Sequence, residues 1–252
     1  MIYCKHFRHL WTPAQISTEA WFDAGDSGTI TESAGAVSQW DDKSGNGYHM
    51  TQGTGADQPL TGTRSLGGLN VIDFSSTDYM GSSFTVPSSG DIAIFSLMEI
   101  DAVATLNASV FSMDSTSNDF QFRANNNTQF NGEIAVSDIG SNVSLSGGPF
   151  SGVQIVNANF DYTSGYYNAF MNSVQRAVNT SYTAKLNTTQ DFKLMTNRAA
   201  TALMDGAVAE VIAVESCTTV CRQTIEGYLA WKWGKVSNLP SNHPYKSSPP
   251  YA

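Results

Sequence analysis

Ala207-Val208-Ala209-Glu210-Val211-Ile212-Ala213-Val214-Glu215, followed almost at once by a helical stretch from Thr218 to Trp233, is the segment that decides the fold of this 252-residue chain. The first part alternates in the manner of a strand. The second carries Cys217, Cys221, Ile225, Tyr228 and Leu229 at three-to-four spacing, the apolar stripe of a helix that packs on one side. Lys232 falls in the last turn, where positive charge complements the helix dipole, and Gly234 is placed to end it. Trp231 and Trp233 cannot both join the stripe. At least one is expected to pack on the following loop, toward Pro240 or Pro244, with a carbohydrate platform as the alternative.

Working outward, the rest of the chain reads as strands and turns. Apolar runs recur at Val37–Trp40, Leu69–Phe74, Ile92–Met98, Ser109–Met113, Phe120–Arg123, Ile134–Val136 and Val153–Phe160. Tyr166–Met171 and Val174–Val178 flank Asn172-Ser173 as a hairpin, and Phe192–Met195 precedes the closing run. Gly, Asn, Ser and Asp fill the gaps, and no helical stretch lies between strands to carry a parallel crossover. Roughly ten to fourteen antiparallel strands are expected, a number that stacks as a sandwich to cover its faces. The division is an arm over 1–20, a sandwich domain over 21–240 and a tail over 241–252. Within the arm, Thr12-Pro13-Ala14-Gln15 reads as a short helical start capped by Thr12.

Composition agrees. Hydrophobic residues at 41% fill a substantial core. Charged residues reach only 14%, so solubility rests on Ser, Thr, Asn and Gly, which suits a turn-rich sandwich better than a helical bundle. The formal charge of −9 repels a phosphate backbone and an anionic membrane, so neither nucleic acid nor membrane is an expected partner. No window approaches a transmembrane length. The first nine residues lack the apolar core of a secretory signal, and synthesis in a cytoplasm is expected. Three cysteines argue against a disulfide framework. Cys217 and Cys221 are read as small buried hydrophobes in preference to a metal or redox pair.

Four stretches resemble a known family: Trp21-Phe22-Asp23-Ala24 to Ile30 with Val37 to Gly47; Leu69 to Phe74; Ala169 to Val174, with Ser173 where that family usually has Gly; and Met204-Asp205-Gly206 to Ile212 with the closing helix. They are similar to the laminin-G-like jelly-roll domains of the concanavalin A-like lectin/glucanase superfamily, of the kind found in phage virion proteins. The resemblance implies an all-β, antiparallel jelly-roll β-sandwich, concanavalin A-like, with one short C-terminal helix. Because this superfold hosts lectins, hydrolases, adhesins and structural parts, function has to come from the site.

Glucanases of the superfamily keep carboxylates on one strand as Glu-x-Asp-x-Glu or Glu-x-Asp-x-x-Glu, since alternate residues share a face and can flank one glycosidic bond. Glu99-Ile100-Asp101 begins this pattern, but Val103 and Ala104 stand where the second Glu belongs. No metal-ligand spacing, phosphate-binding loop or serine elbow is found. No catalytic, cofactor-binding or metal residue is therefore assigned. Calcium is the one cofactor considered, because many relatives bind it through loop oxygens. Asp41, Asp42 and Asn46 are the candidate ligands, with Asp114, Asn118 and Asp119 as a second set, and the same residues are standard turn formers.

The expected function is a non-catalytic bacteriophage virion structural protein (capsid-decorating, head-fibre or tail-associated) that adheres to surface glycans. It would be located in the virion, present in many copies or as a homo-oligomer. It would dock on other virion proteins through the basic, aromatic arm, with Tyr3, Lys5, Phe7, Arg8 and Trp11 as the docking residues. The alternative is a carbohydrate-binding, lectin-like module recognising cell-surface glycan. A glycoside hydrolase is the remote alternative.

Overall fold

The structure, a computed structural model, describes residues 9–103, 106–114, 120–124, 133–136, 141–181 and 189–252. Its first strands are β1 (Ala20–Asp23), β2 (Ile30–Ser33), β3 (Ala36–Trp40), β4 (Met50–Thr51), β5 (Leu60–Leu66), β6 (Leu69–Phe74), β7 (Met80–Thr85) and β8 (Ile92–Val103). There follow β9 (Ser109–Asp114), β10 (Phe120–Arg123), β11 (Glu133–Val136), β12 (Ser141–Ser144), β13 (Gly152–Asp161), β14 (Tyr166–Met171), β15 (Val174–Asn179), β16 (Thr189–Leu194) and β17 (Met204–Val214). Helix α1 (Thr219–Lys232) follows β17 and is the one α-helix among the described residues. It is not long and apolar enough to cross a membrane.

Every strand pairing among the described residues is antiparallel, which bears out the sandwich expectation. One layer runs β15–β14–β13–β8–β17, with β1 and β6 both paired to β17 along different parts of its length. The other runs β12–β11–β10–β9–β16–β7–β4–β3, with β2 beyond β3. β5 pairs with both β3 and β6 and so joins the layers along one edge. Phe120 against Phe160 at 4.1 Å and Phe22 against Trp40 at 5.7 Å tie one layer to the other across the core. Such aromatic pairs add about 0.5–1.5 kcal/mol each beyond their burial.

The seventeen strands among the described residues exceed the expected number. β5 shows why: Thr61-Gly62-Thr63-Arg64-Ser65 has no apolar alternation, and its pairing with β6 is interrupted between Thr61 and Ser65, yet Leu60 pairs with both β3 and β6. β17 is near-continuously apolar and buried on both faces, and on the face that carries Glu210 it meets Tyr228 and Lys232 of α1. The hairpin falls where expected, with Asn172 and Ser173 at φ 51° and 65°, the left-handed pair that a tight two-residue turn requires.

Thr218 caps α1 by accepting from the Cys221 amide, and Gly234 follows the helix at φ 64°. Gly67 also has to be glycine: at φ 58°, a Cβ there would come within 2.5 Å of the Trp233 carbonyl oxygen. Ahead of β1, Pro13–Gln15 forms a short 3-10 turn in which the Gln15 side chain accepts from the Thr12 amide. The first and last described residues are paired: Leu10 bridges Tyr251, the Trp11 amide donates to the Pro250 carbonyl, and the Ala252 amide donates to the His9 carbonyl.

Cys217 and Cys221 are joined in a disulfide rather than being independent buried thiols. Cys217 precedes the capping residue, so it leaves the helical path, and its sulfur reaches Cys221 in the first turn.

Candidate functional site

Glu210, the acidic residue inside the closing run, is fully buried between β17 and α1. Its Oε1 accepts from Trp21 Nε1 at 2.7 Å and Tyr228 Oη at 2.8 Å. Its Oε2 accepts from Lys232 Nζ at 2.7 Å and Trp233 Nε1 at 2.8 Å. Lys232 also donates to Asp23, which pairs with Glu210 across β1 and β17, and Lys43 binds Asp23 and Asp26. Burial pushes the Glu210 carboxyl up from its ordinary value, and the Lys232 charge opposes that push. Burial, with Glu210 adding to it, drives the Tyr228 phenol far above its ordinary range, so it stays a donor. Both carboxylate oxygens are saturated from within the chain, so this cluster fastens the helix to the sheet. Lys232 therefore serves a buried ion pair more than the helix dipole. Trp233 is sealed in, and it is Trp231 that meets the following loop, its Nε1 donating to the Tyr245 carbonyl at 2.8 Å.

The calcium candidates sit in a dense turn. Asp42 accepts four bonds, from the amides of Trp21, Ser44 and Tyr48 and the Ser44 hydroxyl. Asn46 donates to the Thr18 and Glu19 carbonyls, and Asp41 engages Gln39 and His49. These oxygens are taken by local donors, as turn-forming residues use them. Asp114, Asn118 and Asp119 lie outside the described side chains. Among the described residues, no group of three or more His, Cys, Asp or Glu is placed to hold a metal.

Glu99 and Asp101 share a face of β8, and both pair with Arg64, at 3.3 and 2.6 Å. Arg64 also reaches Asp73. Beside them opens a groove of about 490 Å³ that includes Asp78 and Asp205. Partial burial raises the Asp205 carboxyl, and repulsion from Asp101, Asp78 and Asp73 adds to it. Of the docking-arm residues, Tyr3, Lys5, Phe7 and Arg8 lie outside the described residues. Trp11 packs edge-on against Tyr228 of α1 at 5.8 Å.

A different place combines polarity, burial and unmet hydrogen bonding. Pairing of β13 with β14 sets Asn157 opposite Phe170, Asn159 opposite Asn168 and Asp161 opposite Tyr166, all facing away from the opposite layer. β8 adds Phe95 opposite Asn157 and Ala93 opposite Asn159. Cys217 and the start of α1 (Thr218, Thr219 and Arg222) stand over this strip and enclose a pocket of about 110 Å³. Asn157 is only 1% exposed, and its Nδ2 donates to the Ile94 carbonyl at 3.2 Å. Among the described residues its Oδ1 has no partner, and neither has Oδ1 of Asn168. An unpaired buried acceptor costs about 1–3 kcal/mol, so two in one pocket mark a position awaiting a donor. Arg222 lies 4.0 Å over the Phe170 ring, with Nη1 bonded to both oxygens of Glu226 and to Ser173. The Tyr166 hydroxyl bonds Asn159 and Asp161, and partial burial raises its pKa above the ordinary phenol value. No carboxylate or imidazole lines the pocket among the described residues. It can exchange hydrogen bonds with a polar ligand lying against aromatic surface.

The sequence carries a signal for this pocket. Asparagine is depleted in strands, yet Asn157, Asn159 and Asn168 recur at alternate positions of two strands that pair as neighbours. What could not be read was the helix lying over them.

No family model matches the chain, and no curated protein matches it. Solved structures resemble it in fold. Domain 4 of an extracellular arabinanase from Geobacillus stearothermophilus, in complex with arabinotriose, aligns at TM-score 0.56 and 12% identity, covering 79% of this chain and 93% of that one. An arabinofuranosidase complexed with arabinofuranosyl-alpha-1,2-xylobiose aligns at 0.58 and 10%, covering 90% and 61%. The botulinum neurotoxin serotype D binding domain aligns at 0.55 and 11%, covering 83% and 51%. The chain thus spans just over half the length of the last two. At these identities the likeness establishes a shared β-sandwich architecture, in keeping with a jelly roll.

Proposed function

We propose that this protein is a carbohydrate-binding, lectin-like β-sandwich module that holds its ligand without cleaving it. The observation that carries the reading is the pair of unpartnered amide oxygens, on Asn157 and Asn168, lining one pocket with Phe170 and Tyr166. Sugars offer what such a pocket lacks: hydroxyl donors on a ring whose C–H face can lie on an aromatic side chain. The fold likeness to the arabinanase domain solved with arabinotriose supports the same direction. None of the three neighbours described above is a virion protein, so the lectin-like alternative becomes the main reading and the virion role draws no support from them. That role also leaned on the arm, whose described part is packed on the chain itself.

Hydrolysis has one observation in its favour, the raised Asp205 carboxyl in an acidic groove. Against it, Glu99 and Asp101 are held by Arg64. A glycan array probed with and without calcium tests the main reading: binding without release of reducing sugar is expected. Folded protein giving no signal in either condition would sink it.

A further inference from the structure

We propose that the Asn157–Asn168 pocket selects a single neutral sugar at the end of a glycan chain and rejects acidic sugars. This rests on the carbohydrate-binding reading above. The two unmatched atoms are both acceptors, Oδ1 of Asn157 and Oδ1 of Asn168. They call for hydroxyl or N–H donors, and a carboxylate brings only further lone pairs. An acidic sugar would also need a free cation. Arg222 is the only cation lining the pocket among the described residues, and its guanidinium is bound to both oxygens of the buried Glu226. Near the rim, Asp161 and Asp91 both raise the Tyr166 pKa electrostatically, so the local field opposes an incoming anion.

The start of α1 works the other way, since a helix N-terminus attracts negative charge. That attraction is modest at a surface site, and Thr218 already occupies the Cys221 amide. Two unmatched acceptors and a neutralised guanidinium outweigh it. The volume, about 110 Å³, is below the roughly 300–1,000 Å³ usual for small-molecule pockets. It suits one ring entering end-on rather than a chain lying along a groove.

The test uses the full chain on an array of oligosaccharides that share a core but end in neutral, sialylated or uronic-acid residues. Competition by neutral methyl glycosides follows. Signal confined to neutral termini and lost with millimolar methyl glycoside is expected, as is a tenfold or greater loss of affinity in Asn168→Ala. Asn157→Ala should lose affinity likewise, with circular dichroism verifying that each variant folds. A preference for acidic termini, or competition only by long oligosaccharides, overturns this inference while leaving the carbohydrate reading intact. Neutral binding unchanged in both folded variants places the sugar elsewhere and also overturns it. No glycan signal at all ends both readings.

Discussion

Four donors converge on the Glu210 carboxylate, two on each oxygen. Glu210→Gln would turn an amide N–H₂ toward donors such as Lys232 and Trp233, leaving buried groups unmatched. Loss of about 3 kcal/mol is expected, read as a lowered urea midpoint. Asp205, repelled by neighbouring carboxylates instead of held by buried donors, should respond to neutralisation in the opposite sense. Its folded pKa lies above the unfolded one, so the stabilisation linked to it is present below the ordinary aspartate range and is lost as pH rises through the raised value. Asp205→Asn should therefore stabilise at neutral pH, by under about 1 kcal/mol for a largely solvated group. The gain should vanish in acid, as a pH series of thermal midpoints would reveal. Ser173 departs from the glycine usual in the resembling family, and the structure supplies a reason: its hydroxyl donates to Glu226 at 2.8 Å. The positions of Glu210 and Lys232 were legible in sequence, whereas their pairing was not, because it joins a strand to a helix through tertiary packing alone.

At the level of elements, α1 has two jobs. Its later turns cover Glu210, and its first turn walls the candidate pocket, held there by the Cys217–Cys221 bond. Reduction should cost at most about 2 kcal/mol, because the closed loop is short. It should weaken ligand binding more than it weakens the fold, which calorimetry with and without reductant can separate. Gly227 lets the tail lie against the helix, since a Cβ there would meet Tyr245 Cβ at 2.7 Å and the Tyr245 ring at 2.8 Å. Gly227→Ala is expected to destabilise by about 1–3 kcal/mol through overpacking. The helix and the hairpin were readable because periodicity, cap and turn chemistry agree locally. β5 and the disulfide were not, the first lacking a pattern and the second depending on where the chain enters the helix.

For the molecule as a whole, the sandwich was legible from apolar runs and turn residues, but the placing of the ends was not. Residues 241–252 read as a tail, yet His243 and Pro250 are buried and Tyr245 receives the Trp231 bond. Deleting this stretch should lower stability by more than about 3 kcal/mol, or prevent cooperative unfolding altogether, as a denaturation curve would reveal. Pairing of residues 9–11 with 250–252 also makes the sandwich topologically closed in practice, its first and last described residues a single hydrogen bond apart. Such a body can be circularly permuted, or spliced into a loop of an unrelated host with both junctions at one point.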